Sequence, residues 1–243
     1  MVFSVHHWAA WAPGLVGHDA WTSWLARPHP LPSEGTPPLT EMPAMMRRRV
    51  DRLGRIALQA AYTCQRDAPP CPGVFASRYG EMGRSVELLE TLARAEPLSP
   101  TSFSLSVHNA MGALFSIARG DTTAYSAVAA GAETVEAAFV EACGLLADGA
   151  PEVQLVVYDE PLPRPFDSFT ERRMVPHAWA CRVRAAQAGS GVTLTCHGVD
   201  GDAPRAEPGD LEDDLAVLRF LVGGAAAYDH AVGSRLWRWR RDV

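Results

Sequence analysis

Hydrophobic positions alternate between strand-like and helix-like spacing from the N-terminus to about residue 160. Loose alternation over residues 2–11 predicts a first strand, and the apolar run at residues 152–159 predicts a buried one. Apolar residues three and four positions apart over residues 44–63 and 83–95 predict amphipathic helices. Strands that alternate with helices favour a mixed, mainly parallel sheet with helices on both faces, an α/β fold.

A run of β-branched and aromatic residues at 122–128 leads directly into a turn at Gly131 and then into a helix. The helix is rich in alanine from Ala132 to Ala142, so other layers of the fold can pack close against it. A strand that turns sharply into a buried helix is a place where an enzyme can hold a nucleophile. The helix dipole and the free N–H groups there stabilise negative charge.

The pattern changes after residue 160, where a proline-rich connector begins. Residues 178–185 and 192–196 predict an antiparallel hairpin across a short glycine-containing turn. Asp210 and Asp213 predict the capped start of a helix that reaches Val222 and ends at two glycines.

Length and composition suit one globular domain with an appendage, because 47% of the 243 residues are hydrophobic. We therefore divide the chain into a half domain at residues 1–160 and a C-terminal extension, residues 161–243, packed on it. Within the extension, residues 171–243 are the candidate cover for a face that would otherwise lack a partner layer.

The net charge of −6 argues against nucleic-acid binding and against general binding to membrane surfaces. The five cysteines are odd in number and contain no Cys-x-x-Cys pair, so neither a disulfide framework nor a metal site is indicated. No apolar stretch reaches the roughly 18 residues of a membrane span, and no secretion signal is evident. We expect a cytoplasmic protein.

The turn at residues 126–132, SAVAAGA, resembles the active-site turn of β-ketoacyl-ACP synthases of the thiolase-like superfamily, whose pattern is roughly Thr-Ala-Cys-Ala-Thr-Gly-Ala. Aligning Gly131 and Ala132 places Val128 where that family carries its nucleophilic cysteine. Residues 100–117, with Val-His-Asn-Ala at their centre, are similar to the family's segment ahead of the nucleophile strand. The resemblance spans about residues 2–159 and implies a βαβαβαββ half-fold, here followed by a hairpin and a helix.

The resemblance also implies which chemistry is missing. Valine cannot be acylated, and the family's two catalytic histidines belong to His-Gly-Thr-Gly-Thr-like and Asn-Ser-Phe-Gly-Phe-like motifs that do not occur here. His197, between Cys196 and Gly198, is the nearest mimic, but a lone histidine at a strand end is more often structural. His108 is likewise better explained as a core histidine, because no acid–base partner is visible beside it.

A half domain without a nucleophile resembles a chain-length factor, the inactive partner of an active ketosynthase, similar to those of aryl polyene and other type II polyketide or fatty-acid pathways. Ketosynthases dimerise by antiparallel pairing of the strand before the nucleophile. Here the strand implied for that interface consists of Thr122, Thr123, Ala124, Tyr125, Ser126 and Ala127. The candidates for lining or gating an acyl tunnel are Phe103, His108, Asn109, Phe115, Tyr125 and Phe139.

An acidic acyl carrier protein is the second expected partner. Arg47, Arg48 and Arg49 are its candidate contacts, although a charge run is more often a solvated helix face. No cofactor is expected except the phosphopantetheine that the carrier protein itself brings.

Two alternatives remain. The chain could be a stand-alone thiolase-like acyltransferase that uses a nucleophile other than cysteine, such as Ser126, although a serine two residues before the turn is poorly placed. It could also be a scaffold that only binds the carrier protein, in which case changes to the aromatic residues would leave product length unaltered.

Overall fold

The alternating pattern of the sequence forms helices and strands that follow one another along the whole chain. The structure is a computed structural model that describes residues 1–66, 68–170, 174–187, 191–199 and 211–242. In chain order the elements are β1 (Val2–Trp11), α1 (His18–Ala26), α2 (Ala44–Arg47), α3 (Arg52–Gln65), β2 (Gly73–Ala76), α4 (Met82–Ala93), α5 (Pro100–Ser104), α6 (Ala110–Arg119), β3 (Tyr125–Val128), α7 (Thr134–Ala147), β4 (Val153–Asp159), β5 (His177–Ala185), β6 (Val192–Gly198), α8 (Asp213–Val222), β7 (Ala227–Val232) and β8 (Arg235–Arg241).

The strands form one sheet in the order β3-β2-β4-β5-β1-β6-β8-β7. β2 runs parallel to both β3 and β4. Every other neighbouring pair of described strands is antiparallel. The sheet is therefore mixed as predicted, but parallel pairing is confined to the three strands at one end and the sheet is not mainly parallel.

Helices cover both faces of the sheet, which confirms the predicted arrangement. β4 shows why, because its buried residues alternate between two separate cores. Leu155 and Val157 face the core that contains α1, α7 and α8, whereas Val156 and Tyr158 face the core that contains α3 and α6. We call these the α7 face and the α3 face.

The predicted hairpin of residues 178–185 and 192–196 is wrong, because β1 lies between these two strands. Phe3 of β1 pairs with Ala185 on one side and with Val192 on the other. Two apolar strands joined by a short connection look the same in sequence whether they pair directly or flank a third strand. The hairpin that does form joins β7 and β8 through Gly233, whose φ of +55° suits a tight turn.

The predicted division at residue 160 does not separate two layers of the fold. β5, which follows residue 160, lies between β4 and β1 in the middle of the sheet. The described part of residues 171–243 thus completes the sheet with β5, β6, β7 and β8, and α8 packs on its α7 face. That segment covers the α7 face only through α8 and the hairpin.

The predicted single helix at residues 44–63 is two helices, α2 and α3. Asp51 stops the first from continuing, because its side chain accepts a hydrogen bond from the Gly54 N–H at 3.0 Å and caps the second. The C-terminal helix begins at Asp213, later than predicted, and Asp210 lies outside the described residues.

The strand predicted at residues 122–128 is also shorter than expected. Asp121 accepts hydrogen bonds from the backbone N–H and hydroxyl of Thr123, so a turn occupies its first part and β3 begins at Tyr125. Among the described helices, none has the length and apolar character that a membrane crossing requires.

Candidate functional site

The turn after β3 keeps the strand-to-helix geometry that the sequence predicts. β3 ends at Val128, a 3₁₀ turn follows at Gly131–Glu133, and α7 begins at Thr134. The Thr134 hydroxyl donates to Gly131 O at 2.7 Å and accepts from the Ala130 N–H at 3.0 Å, which fixes the turn. The Val128 side chain is half-buried and packs on the core of the α7 face. An inert side chain therefore stands at the end of the strand.

Two glutamates in the turn and first residues of α7 are bound by the C-terminal hairpin. Glu133 accepts from the Trp237 indole N–H at 2.7 Å and pairs with Arg235. Glu136, fully buried, pairs with His230 Nδ1 at 2.8 Å. Carboxylates are favourable at a helix N-terminus because of the helix dipole. The N-terminal end of α7 is thus bound by β7 and β8.

His230 and Glu136 form a buried imidazole–carboxyl pair. Burial alone lowers the pKa of His230, but the carboxylates of Asp213 and Glu136 outweigh it and raise that pKa to about 10. The pair ties β7 to α7 and, through Asp213, to α8. Sequence reasoning missed it because the two residues are 94 positions apart.

Cys196 and His197 lie on β6 and are exposed. His197 Nε2 is 3.0 Å from the Thr195 hydroxyl. Burial and the nearby Glu133 carboxylate raise the pKa of the Cys196 thiol, which disfavours the thiolate.

Ser126, the candidate alternative nucleophile, is in the middle of β3. Its hydroxyl donates to the Glu141 carboxylate of α7 at 2.6 Å. Within the described chain, no histidine contacts this hydroxyl. The serine is therefore engaged with a helix side chain two residues before the turn, and it lacks the imidazole base of a catalytic pair.

β3 is at one end of the sheet, and no described strand pairs with its outer side. Gly73 N donates to Ala124 O at 3.0 Å and Ser77 N donates to Val128 O at 3.2 Å, so β2 bonds alternate residues of the strand. By the same alternation, the backbone N–H and C=O groups of Tyr125 and Ala127 point away from β2. These groups form the free edge, which carries no charged side chain and no proline.

The predicted tunnel residues separate into several places. Phe115 and Tyr125 lie on the α3 face, where both rings pack against Phe75. Phe139 is on the opposite face, stacked on Phe3 with ring centroids 4.8 Å apart. Phe103 on α5 is 65% exposed.

His108 and Asn109 precede α6. The His108 ring places Nε2 2.9 Å from Ser77 O, at the end of β2, so this histidine holds the loop after that strand. Asn109 is exposed. Neither residue lies on the sheet face beside Phe115 and Tyr125.

A cleft opens beside the start of β3, between that strand and α6. Gly112 allows the close approach there, because a Cβ at this position would lie 2.5 Å from the Tyr125 ring. The cleft is lined by Cys71, Gly73, Phe75, Gly112, Phe115, Ser116, Asp121, Thr123, Ala124, Tyr125 and Gln154. It is the place where two of the predicted tunnel residues, Phe115 and Tyr125, meet the free edge.

Asp159, at the end of β4, organises the loop after β2. Its carboxylate accepts from the Ser77 hydroxyl at 2.8 Å and from the Arg78 N–H at 2.9 Å. Burial raises its pKa to about 6 despite these bonds. The sequence signal for this residue is an acid placed directly after an apolar strand, and sequence reasoning missed it.

His177, Glu212 and Asp214 are the described group whose side chains could hold a metal ion. Their ligand atoms are already engaged with one another and with nearby donors. His177 Nε2 is 2.7 Å from Asp214 Oδ2, which also accepts from the Trp179 indole, and Glu212 accepts from the Val175 N–H. The group is explained as a hydrogen-bonded ion pair that attaches α8 to β5.

The three predicted carrier-protein arginines are not equivalent. Arg47 donates to Leu39 O at 3.1 Å and so supports the proline-rich loop before α2. Arg48 and Arg49 are exposed, and their side chains make no hydrogen bond or ion pair with any described residue. Only these two are free for an acidic partner.

The fold and its nucleophile turn define a ketosynthase-type domain. A family model described as "Beta-ketoacyl synthase, N-terminal domain" matches residues 21–240, so the chain belongs to this family. The matched residues extend well beyond residue 160. This agrees with the single sheet, which contains strands from both sides of that position. A comparison with curated proteins finds no match.

Solved structures show the same fold. A chain of the ketosynthase ApeO in complex with its chain length factor ApeC, from Xenorhabdus doucetiae, is 24% identical with a TM-score of 0.85, over 99% of this chain and 100% of that one. The ishigamide ketosynthase/chain length factor is 16% identical with a TM-score of 0.65, over 82% and 68%. A β-ketoacyl synthase from Burkholderia phymatum is 15% identical with a TM-score of 0.58, over 85% and 66%. The thiolase-like ketosynthase fold predicted from the sequence is confirmed.

Proposed function

We propose that this chain is a catalytically inactive ketosynthase-like subunit, a chain-length factor, that pairs with an active β-ketoacyl-ACP synthase. The observation that carries the proposal is Val128 at the end of β3, directly before the turn that leads into α7. A side chain without a thiol or hydroxyl cannot form an acyl-enzyme. The closed N-terminus of α7, with Glu133 and Glu136 bound by the hairpin, supports the same conclusion.

The free edge of β3 supports pairing with a second chain. A strand edge without charge, proline or a covering element is prone to pair with another strand. Tyr125 and Ala127 offer their backbone groups for an antiparallel partner strand. Similarity to chains from ketosynthase/chain length factor structures favours a ketosynthase as the owner of that strand.

The aromatic residues beside the free edge are the candidates for limiting product length. Phe115 and Tyr125 line the cleft at the start of β3, whereas Phe103 is exposed on α5, does not line the cleft and is not a candidate. Phe139 is removed from this role, because it lies buried on the opposite face of the sheet. Aryl polyene or related type II polyketide and fatty-acid pathways are the proposed setting.

An acyl carrier protein is the proposed second partner, with Arg48 and Arg49 as its contacts. Both side chains are exposed, and their charge complements an acidic surface. The phosphopantetheine arm of that carrier is the one prosthetic group the proposal requires, and it arrives with the carrier.

The test is co-expression with the ketosynthase encoded nearby, followed by size-exclusion chromatography with mass determination. A stable one-to-one complex supports the proposal. A homodimer that ignores the ketosynthase contradicts it. In the reconstituted complex, Phe115→Ala and Tyr125→Ala should lengthen the product, whereas Phe103→Ala serves as the exposed control. Unchanged product length with all three would favour a scaffold that only binds the carrier protein.

A further inference from the structure

A carboxylate of α7 lies beside the free edge of β3. The Ser126 side chain faces α7, and its hydroxyl donates to Glu141 Oε1 at 2.6 Å. Glu141 is half-buried, and among the described residues it forms no ion pair. A neutral hydroxyl donor does not cancel the charge of a carboxylate. The edge strand itself is uncharged, so an uncompensated negative charge lies next to it.

Pairing of two copies of this chain through β3 would bring two such charges together. The outward backbone groups belong to Tyr125 and Ala127, so an antiparallel pair that uses all of them sets Tyr125 of one copy opposite Ala127 of the other. Ser126 then lies opposite its own counterpart, in a pair without backbone hydrogen bonds whose Cα atoms are about 4.5 Å apart. Each serine is bonded to the Glu141 of its own copy, so both carboxylates lie close to the two-fold axis.

The sign of the charge on the opposite strand decides whether such a pair is stable. Like charges that face each other across neighbouring strands are destabilising, whereas opposite charges stabilise. Side chains of directly opposite residues are about 5 Å apart, which is less than the distance of about 8 Å over which physiological salt screens charges. A second copy of this chain is therefore a poor partner for β3. A strand with a lysine or arginine opposite Ser126 is a good one, because its cation can reach Glu141.

We propose that Glu141 selects the strand that pairs with β3: it disfavours pairing with a second copy of this chain and favours a partner strand that carries a cationic side chain opposite Ser126. The proposal rests on the proposed function, in which that strand belongs to a ketosynthase. An uncharged edge strand pairs readily with other strands. Its specificity then has to come from groups beside it, which attract the right partner and repel the wrong one.

The test compares Glu141→Gln with Asp19→Asn in the full chain. Glutamine keeps the length of the side chain and an oxygen that accepts from Ser126, but it carries no charge. Asp19 is exposed on α1, which packs against β1, the fifth strand of the sheet counted from β3. Its replacement changes the net charge by the same amount at a distance from the free edge.

Analytical ultracentrifugation of the chain alone measures its self-association. Glu141→Gln should lower the dissociation constant of the homodimer at least about tenfold, and adding Ala127→Pro to the same chain should reverse this gain, because it removes an outward N–H of β3. Titration with the ketosynthase measures the second effect. There Glu141→Gln should weaken the complex about tenfold and reduce the dependence of its affinity on salt. Asp19→Asn should behave as the unmodified chain does in both experiments.

Equal behaviour of Glu141→Gln and Asp19→Asn in self-association, or in a ketosynthase complex that forms, would overturn the proposal and leave Glu141 as a link between α7 and β3. If Glu141→Gln does not fold, the unmodified chain still decides. Raising salt from about 0.05 to 0.5 M should strengthen its self-association by screening the carboxylates, and self-association that salt weakens or leaves unchanged would overturn the proposal.

Failure of the proposed function is a separate result, because it is the absence of any complex between the unmodified chain and the ketosynthase. A gain of self-association by Glu141→Gln without such a complex would keep the role of Glu141 against self-pairing. It would remove the ketosynthase as the partner that this residue selects.

Discussion

The two edge strands of the sheet, β3 and β7, differ in how readily each can pair with a strand of another chain. β7 carries Asp229, which pairs with Arg240 at 2.5 Å and Arg238 at 3.9 Å, so charge lies along that edge. β3 at the other end has no charged residue and leaves the backbone of Tyr125 and Ala127 open. Charge on an edge strand discourages pairing with another chain. The difference indicates that β7 ends the sheet and that β3 is the end at which another strand can be added.

The β7 edge is also attached to the core more firmly. His230 in β7 is bound to Glu136 of α7, whereas Ser126, the corresponding polar link of β3, bonds the half-buried Glu141. The attachment explains how the C-terminal hairpin covers the face around α7. Four experiments test the roles of the residues at these two edges.

The largest effect is expected from His230→Ala. The substitution leaves the fully buried Glu136 carboxylate without its partner, and breaking a buried pair costs about 3–5 kcal/mol. Urea unfolding monitored by tryptophan fluorescence measures the change. Asp229→Ala on the same strand removes exposed pairs and should cost less than about 1 kcal/mol. Equal losses for the two variants would contradict the anchoring of β7.

The next effect concerns partner binding. Ala127→Pro removes the outward N–H of β3 while sparing the bonds to β2, and it should weaken the ketosynthase complex about a hundredfold, equivalent to about 3 kcal/mol. Ala127→Val keeps the N–H and should bind normally. Titration by light scattering or calorimetry measures both.

The matched control for that experiment is at the opposite edge. Arg241 N donates to Ala226 O, so alternate residues of β7 bond β8 and the N–H of Ala231 points outward. Ala231→Pro should therefore leave the complex intact. Equal weakening by the two proline variants would show that strand damage, and not the β3 edge, is responsible.

The free energy of unfolding should also change gradually with pH. Asp214 and its hydrogen bond outweigh burial and raise the pKa of His177 to about 10, as happens for His230. A histidine with a raised folded-state pKa stabilises fully below its unfolded value of 6.5, and the contribution is lost as pH rises toward about 10. The free energy of unfolding should therefore fall between pH 6.5 and 10. His230→Gln should flatten that slope, and a slope that is unchanged would refute the assignment.

The smallest effect is expected from Val128→Ala. The side chain is half-buried and has no role in chemistry under the proposed function, so condensation by the complex should stay within about twofold of the original rate. The loss of stability should be about 1 kcal/mol. A strong loss of condensation in an intact complex would show that Val128 does more than occupy the turn.

Local sequence patterns predicted much of the fold but less of the candidate site. The strand at residues 2–11, the helix at residues 83–95 and the strand at residues 152–159 were all predicted, because periodicity reports directly on buried faces. The turn at Val128 was predicted from a motif. The position of β1 between β5 and β6 could not be predicted, because strand order depends on contacts between residues that are far apart in sequence.

The same reason explains the missed site residues. Trp237 and Glu133 are 104 positions apart in sequence, and Gln154 on β4 lies opposite Arg182 on the neighbouring strand β5. Neither pairing leaves a local signature in the sequence. Phe139 was grouped with Phe115 because both are aromatic residues near the nucleophile strand, and only the alternation of faces separates them.

Residue-resolved amide hydrogen exchange, with and without the ketosynthase, shows whether β3 pairs with a strand of that partner. Tyr125 and Ala127 have outward N–H groups, whereas those of Ser126 and Val128 face β2. The ketosynthase should slow exchange at Tyr125 and Ala127 at least about tenfold, because new backbone hydrogen bonds form, and should leave exchange at Asp229 and Ala231 unchanged. Unchanged exchange at Tyr125 and Ala127 in the presence of the ketosynthase would contradict this pairing.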